Sequence, residues 1–211
     1  MRRSSYLQVL ALLAMTIDHI GSVFFPEYVF MRIIGRLALP VFCYGIYKGF
    51  EGARRRDRYY LRLLVLSFVS IIPHSLALGD ECMNICFSLL AGLVLLQCAE
   101  DRRWFYGALV LFMVPFMGVE YGLYGVFLIL VFYLMRENKV MQLALTAYMT
   151  VVYAAQTGFY LQYFAVIFLP FIVYFDELKE RLPVNRMVFY VYYPAHLFMI
   201  WGVKMVKAMA F

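Results

Sequence analysis

Asp18 and His19 stand side by side in MTIDHIG, within an otherwise apolar stretch from Tyr6 to Phe25. Arg32 and Arg36 follow on the next apolar stretch, spaced i and i+4 and so on one face of a helix. Four ionisable groups within nineteen residues of such sequence are costly in lipid. They read as a polar site inside a helix bundle, with substrate or ion chemistry as its default use. His19 is the candidate base or nucleophile, because an imidazole near neutral pH can take a proton from a hydroxyl or an amine. Asp18 cannot orient it simply from the next position, since neighbours on a helix point about 100° apart. Asp18 is expected to pair with Arg32 or Arg36. The plainer alternative is a buried ion-pair network that ties two helices together and leaves His19 unexplained.

The chain has three histidines, and the other two also fall in apolar sequence. His196, in YYPAHLFMI, reads equally as a second catalytic or substrate-binding group and as a side chain bonded to a carbonyl freed by Pro194. His74 follows Pro73 at the end of a stretch, where a cap-like role competes with a place in the site. Asn84 opens the next stretch, and Arg62 lies inside one rather than in a loop. Arg32, Arg36, Arg62, His74, Asn84 and His196 are the candidate substrate- or cofactor-binding residues. No metal site is expected. Cys82 and Cys86 lack further ligands nearby, and all four cysteines are expected to pack as apolar residues.

The elements that must position these groups follow from composition. Of 211 residues, 65% are hydrophobic and only 15% charged, and the mean hydropathy is +0.78. A soluble domain carries about 25% charged residues, so this chain belongs to the membrane class. The apolar runs are continuous rather than alternating, which argues against a barrel. About nine stretches suit spanning helices: 5–25, 29–50, 59–78, 84–98, 104–118, 121–135, 140–155, 159–175 and 187–208. The expected fold is an all-α, polytopic transmembrane bundle, a single integral membrane domain over residues 1–211. The start, Met1-Arg2-Arg3, imitates a signal peptide but is read as a retained first helix.

Basic residues fall in alternate loops: Arg2 and Arg3; Arg54, Arg55, Arg56 and Arg58; Arg102 and Arg103; Arg136 and Lys139; Lys179, Arg181 and Arg186. The intervening loops hold no Lys or Arg. This puts the N-terminus inside and the C-terminus outside, with Asp18 and His19 in the outer half of the membrane. The net charge of +6 is thereby explained by orientation, and nucleic acid is not expected as a partner. The arginine run could also hold the phosphates of a cytoplasmic cofactor or of anionic lipids. There is no P-loop, dinucleotide fingerprint, Gly-x-Ser-x-Gly elbow or HExxH motif.

The motifs MTIDHIG at 15–21, RIIGRLALPVF at 32–42, YLRLL at 60–64, IIPHSL at 71–76, NICFSLLAGL at 84–93 and YVYYPAHL at 190–197 occur in order. With them the chain resembles the TraX family of bacterial membrane proteins. The DHIG-to-GR-x-A-x-P block carries most of the resemblance. Where the family often has an aromatic residue after the proline of the third stretch, this chain has His74.

The resemblance implies an acyltransferase, distantly similar to the acyltransferase-3 and heparan-glucosaminide acetyltransferase groups. It implies acetyl-CoA or another acyl-CoA as cytoplasmic donor and an outer-side acceptor: a protein N-terminus, as in the pilin acetylation of the founding member, a glycan or an envelope polymer. His19 would be catalytic, with Asp18, Arg32 and Arg36 in the same site, and the protein would sit among lipids of the bacterial cytoplasmic membrane. A proton- or anion-coupled transporter or flippase built on the same cluster is the competing expectation, and a structural salt-bridge knot the third.

Overall fold

The computed structural model describes residues 5–79, 82–175 and 186–210. The expected basic residues Arg2, Arg3, Lys179 and Arg181 lie outside them, as does the acidic pair Asp80-Glu81. Among the described residues the chain is helical, with one isolated bridge between Met83 and Val119. Helix falls on every apolar stretch read from the sequence, but several stretches are broken. The first forms one helix, α1 (Ser5–Phe24). The second divides into α2 (Val29–Gly35) and α3 (Ala38–Gly52). The third divides into α4 (Arg56–Val69) and α5 (Ile71–Leu78), bent by 40°. Then come α6 (Ile85–Glu100), α7 (Trp104–Met113) with a 3₁₀ turn at Val114–Met117, and α8 (Gly122–Leu134). The last are α9 (Lys139–Thr157), a 3₁₀ turn at Tyr160–Phe164 leading into α10 (Ala165–Phe175), and α11 (Arg186–Ala210).

Two segments, Tyr6–Phe24 and Val29–Gly52, are long and apolar enough to cross a membrane. The bent α4–α5 pair makes a third if it is counted as one span. The shorter helices α6, α7 and α8 are apolar but fall below the length of a usual crossing.

Local chemistry sets the breaks. Pro73 has no N–H to continue the ladder, and the bend falls three residues before it, at Ser70. Asn84 caps α6, accepting from the Cys86 amide at 3.1 Å, and its Nδ2 donates to the Ser67 carbonyl at 3.0 Å. One buried side chain thus starts α6 and ties it to the helix below the bend. Gly79 ends α5 with φ of 74°, a conformation that glycine enters without strain.

The core runs between helices, with Phe50, Leu93, Leu96, Leu128, Ile129, Phe132, Leu169, Ile172 and Leu197 fully enclosed. The outward surface is apolar too: Leu13, Phe30, Leu61, Phe68, Phe105, Phe112 and Ile167 all project from it. Water cannot be the solvent of such a surface, and lipid can. One expectation for the cysteines fails. Cys43, Cys86 and Cys98 are buried, but Cys82 is exposed, because it lies in the loop before the Asn84 cap rather than on a packed helix face.

Candidate functional site

α1 and α2 meet closely because Gly35 has no side chain. A Cβ there would lie 2.3 Å from the Asp18 carboxylate. Gly21 does the same one turn on, where a Cβ would meet that of Met31 at 2.7 Å. The approach lets Arg36 reach Asp18 with two hydrogen bonds, Nη2 donating to Oδ1 at 2.7 Å and to Oδ2 at 2.8 Å. Arg32 Nη1 adds an ion pair to Oδ2 at 3.1 Å and donates to the Asp18 carbonyl at 3.2 Å. Asp18 pairs with both arginines, not with one.

Arg36 is 2% exposed, and all three of its guanidinium nitrogens are engaged. Nε donates to the Arg32 carbonyl at 2.9 Å; Nη1 donates to Tyr121 Oη at 3.1 Å and to Gln162 Oε1 at 3.4 Å. The Phe159 ring lies beneath it at 4.9 Å. A buried guanidinium persists only when paired and fully hydrogen-bonded, and this one is both. Arg32 differs: a quarter of its side chain is exposed. The network continues from Gln162, whose Nε2 donates to Tyr124 Oη at 3.2 Å, to Thr150 Oγ1 at 2.9 Å from the same phenol.

Tyr121 reaches Arg36 from a strained backbone, with φ of 60° and ψ of −4°. A bulky residue in the left-handed region is a real outlier and costs about 1–3 kcal/mol. The preceding loop is pinned on both sides, which holds the strain. Met83 N donates to the Gly118 carbonyl, Glu120 N donates to the Met83 carbonyl, and Ser88 Oγ donates to the Glu120 carbonyl.

His19 faces the other way from Asp18, toward α11. Its Nδ1 lies 2.9 Å from His196 Nε2, with ring planes 11° apart. His196 Nδ1 lies 3.0 Å from the Tyr192 carbonyl. A carbonyl only accepts, so His196 carries its proton on Nδ1 and accepts on Nε2. His19 must then donate from Nδ1, which leaves the lone pair on its own Nε2. No described residue takes that atom. His196 meets His19, and the carbonyl it uses is that of Tyr192, not the one that Pro194 frees four residues back at Tyr190. Tyr192 is also held to α1, its hydroxyl 2.7 Å from Thr16 Oγ1.

The remaining candidates divide. His74 is 2% exposed, mid-helix on α5 rather than a cap, with Nε2 unbonded and 3.8 Å from Glu120 Oε2. α5 packs on α11 and α1, so the three histidines lie on mutually packed helices. Asn84 serves the α6 cap and the bend described above. Arg62 is exposed on α4, its guanidinium 5.7 Å from the Tyr190 ring, and takes no part in the Asp18 network. Gln162, Tyr121, Glu120 and Tyr192 belong to the site without having been expected there. Gln162 and Glu120 had a signal, each a polar residue amid apolar ones. Tyr121 and Tyr192 had none in a chain with 18 tyrosines.

A model of the TraX protein family matches residues 3–204. The chain belongs to the TraX family. Among curated relatives, an uncharacterized protein of Rickettsia prowazekii (strain Madrid E) is 44% identical over 63 residues, covering 30% of this chain and 23% of that protein. The chain therefore spans under a quarter of that relative. The probable fimbrial assembly protein FimC, serogroup H1, of Dichelobacter nodosus is 27% identical over 234 aligned positions, 94% of each chain. No solved structure matches. The family match contains the Asp18, His19, Arg32, Arg36, His74 and His196 positions alike.

Proposed function

We propose that the protein is an integral membrane acyltransferase of the bacterial cytoplasmic membrane, multi-pass, with its arginine-rich end in the cytoplasm and the histidine pair toward the outside. It takes acetyl or another short acyl group from acyl-CoA and passes it to an amine or hydroxyl. The observation that carries this reading is the direction of the Tyr192–His196–His19 hydrogen bonds, which leaves His19 Nε2 as an unoccupied base. His196 plays the orienting part that a second group plays for a base in acyl transfer generally.

In the reaction, His19 Nε2 accepts a proton from the acceptor as its N or O attacks the thioester carbon. The carbonyl electron pair moves onto oxygen. Arg32, half-buried and with donors to spare, is the guanidinium able to stabilise that oxyanion; Arg36 has none left. Collapse breaks the C–S bond, and the thiolate leaves with the proton held by His19. The alternative order, in which Nε2 itself attacks and carries the acyl group, uses the same atoms.

At the other end of the bundle, Arg54, Arg55 and Arg58 suit CoA phosphates, whereas Arg56 is committed to Glu100 and Gln97. The full-length relative is named for fimbrial assembly, so an exported fimbrial subunit is one acceptor of the protein class. The test is acyl-CoA binding and acyl transfer by the purified chain in nanodiscs. Binding that survives in His19→Ala while transfer falls by about 10²–10⁴ supports the reading. Full transfer by His19→Ala removes His19 from the chemistry. Proton-driven uptake into liposomes without acyl-CoA binding would instead make the cluster a transporter's.

A further inference from the structure

Among the described residues, two buried side-chain polar atoms have no hydrogen-bond partner: Ser70 Oγ and His74 Nε2. They are not scattered. The His74 amide donates to the Ser70 carbonyl at 3.0 Å across the bend, so the two side chains stand one turn apart on one face. Ser70 is fully enclosed and His74 nearly so. Each orphan alone would be a penalty without return, and buried polar groups are satisfied in nearly all folded proteins. Two on one face, with His74 beside a carboxylate, describe a place for something with hydrogen bonds to give.

The carboxylate is that of Glu120. Its Oε2 is 3.8 Å from His74 Nε2, too far for a bond, and about a third of its side chain is open. No Lys or Arg pairs with it among the described residues, since Asp18 holds both Arg32 and Arg36. A buried water needs two to four polar partners; His74 and Glu120 offer two, and the unbonded Ser70 hydroxyl stands one turn from His74 on the same face. The elements packed against α5 bring further titratable groups: His19 and Asp18 from α1, and Tyr193 and His196 from α11. His74 is within electrostatic reach of His19.

We propose that Ser70 and His74 hold water against Glu120, forming a hydrated proton exit from the histidine pair to the solution at this end of the bundle. His74 is the relay, Glu120 the terminal acceptor and Ser70 the residue that positions the water. The use made of the exit rests on the acyl-transfer reading. An amine that arrives as an ammonium must lose one proton to solution before its lone pair can attack, and that proton needs a route from His19. The hydration itself does not depend on that reading.

The test uses the full chain in phosphatidylcholine nanodiscs, with ¹⁵N-labelled histidine. Three histidines give three ring systems, and His74→Phe assigns one of them. The expected result is magnetisation exchange between the His74 ring and water, weakened at least threefold in Glu120→Leu, which takes an acceptor from the bound water. Ser70→Ala is then expected to lower the thermal midpoint, because it strips a partner from a bound water. If the site is dry, Ser70→Ala removes an unsatisfied hydroxyl and raises the midpoint. That rise, or a His74 ring silent to water, overturns the proposal. A wet His74 in a protein that transfers no acyl group keeps the exit and discards only its use by His19.

Discussion

At the Asp18 end of α3, Arg36 is almost fully enclosed and each of its nitrogens has a partner. At the other end of the same helix, charges pair in the open. Arg56 meets Glu100 with about a third of each side chain exposed, and Arg136 lies 3.7 Å from Glu51 with a similar fraction free. Arg56 also lies over the Phe50 ring at 4.1 Å. The same residue types do different work. In the open, a pair is weak and replaceable, and aromatic contact supports it. In the enclosed site, each charge is stable only through the others, so the group behaves as a unit. A catalytic base needs the second kind of environment, where neighbours hold one tautomer and one orientation.

The largest expected effect that tests this contrast is Asp18→Ala, which strands a buried guanidinium. It should cost about 3–5 kcal/mol, read by unfolding in detergent micelles. The double change Asp18→Leu with Arg36→Met should recover much of that loss. If it does not, the pair is not the unit described here. Next, Tyr121→Phe deletes a bond to a charged group and should cost about 1.5–3 kcal/mol. A loss near zero would mean that the strained turn at Tyr121 serves something other than Arg36.

Gly35→Ala should cost about 1–3 kcal/mol by forcing α1 and α2 apart. It should also cut acyl transfer while leaving donor binding at the arginine-rich end intact, since Asp18 moves and Arg54 does not. The smallest effect belongs to Arg56→Ala at the open end, about 0.2–1 kcal/mol and shrinking further as salt is raised. A larger, salt-insensitive loss there would erase the distinction between the two ends.

Much of the site is legible in the sequence. Asp18, His19, Arg32 and Arg36 are conspicuous because lipid makes them expensive, and Asp18 does turn to the arginines while His19 turns away. His196 was visible as a polar residue but not as the partner of His19; spacing along one helix says nothing about which other helix it faces. His74 looked like a helix end because of Pro73, yet the break falls at Ser70 and leaves His74 inside α5. Arg62 and Asn84 shared the same signal of polarity amid apolar sequence, and one lies exposed over Tyr190 while the other caps a helix. Polarity in an apolar run marks a residue as constrained without saying by what.

Sequence alone determined that this chain is a helical bundle suited to lipid, and where its costly charges lie. Those are consequences of composition and of the backbone's need to bond to itself where water is absent. Only the tertiary structure decided that Arg36 gathers Tyr121 and Gln162, and that the proton on His196 directs the lone pair of His19. It alone set His74 before Glu120, with the unbonded Ser70 one turn away. Those depend on distances of about 3 Å between helices far apart in the chain, and one residue's rotation about a helix axis is enough to make or lose them.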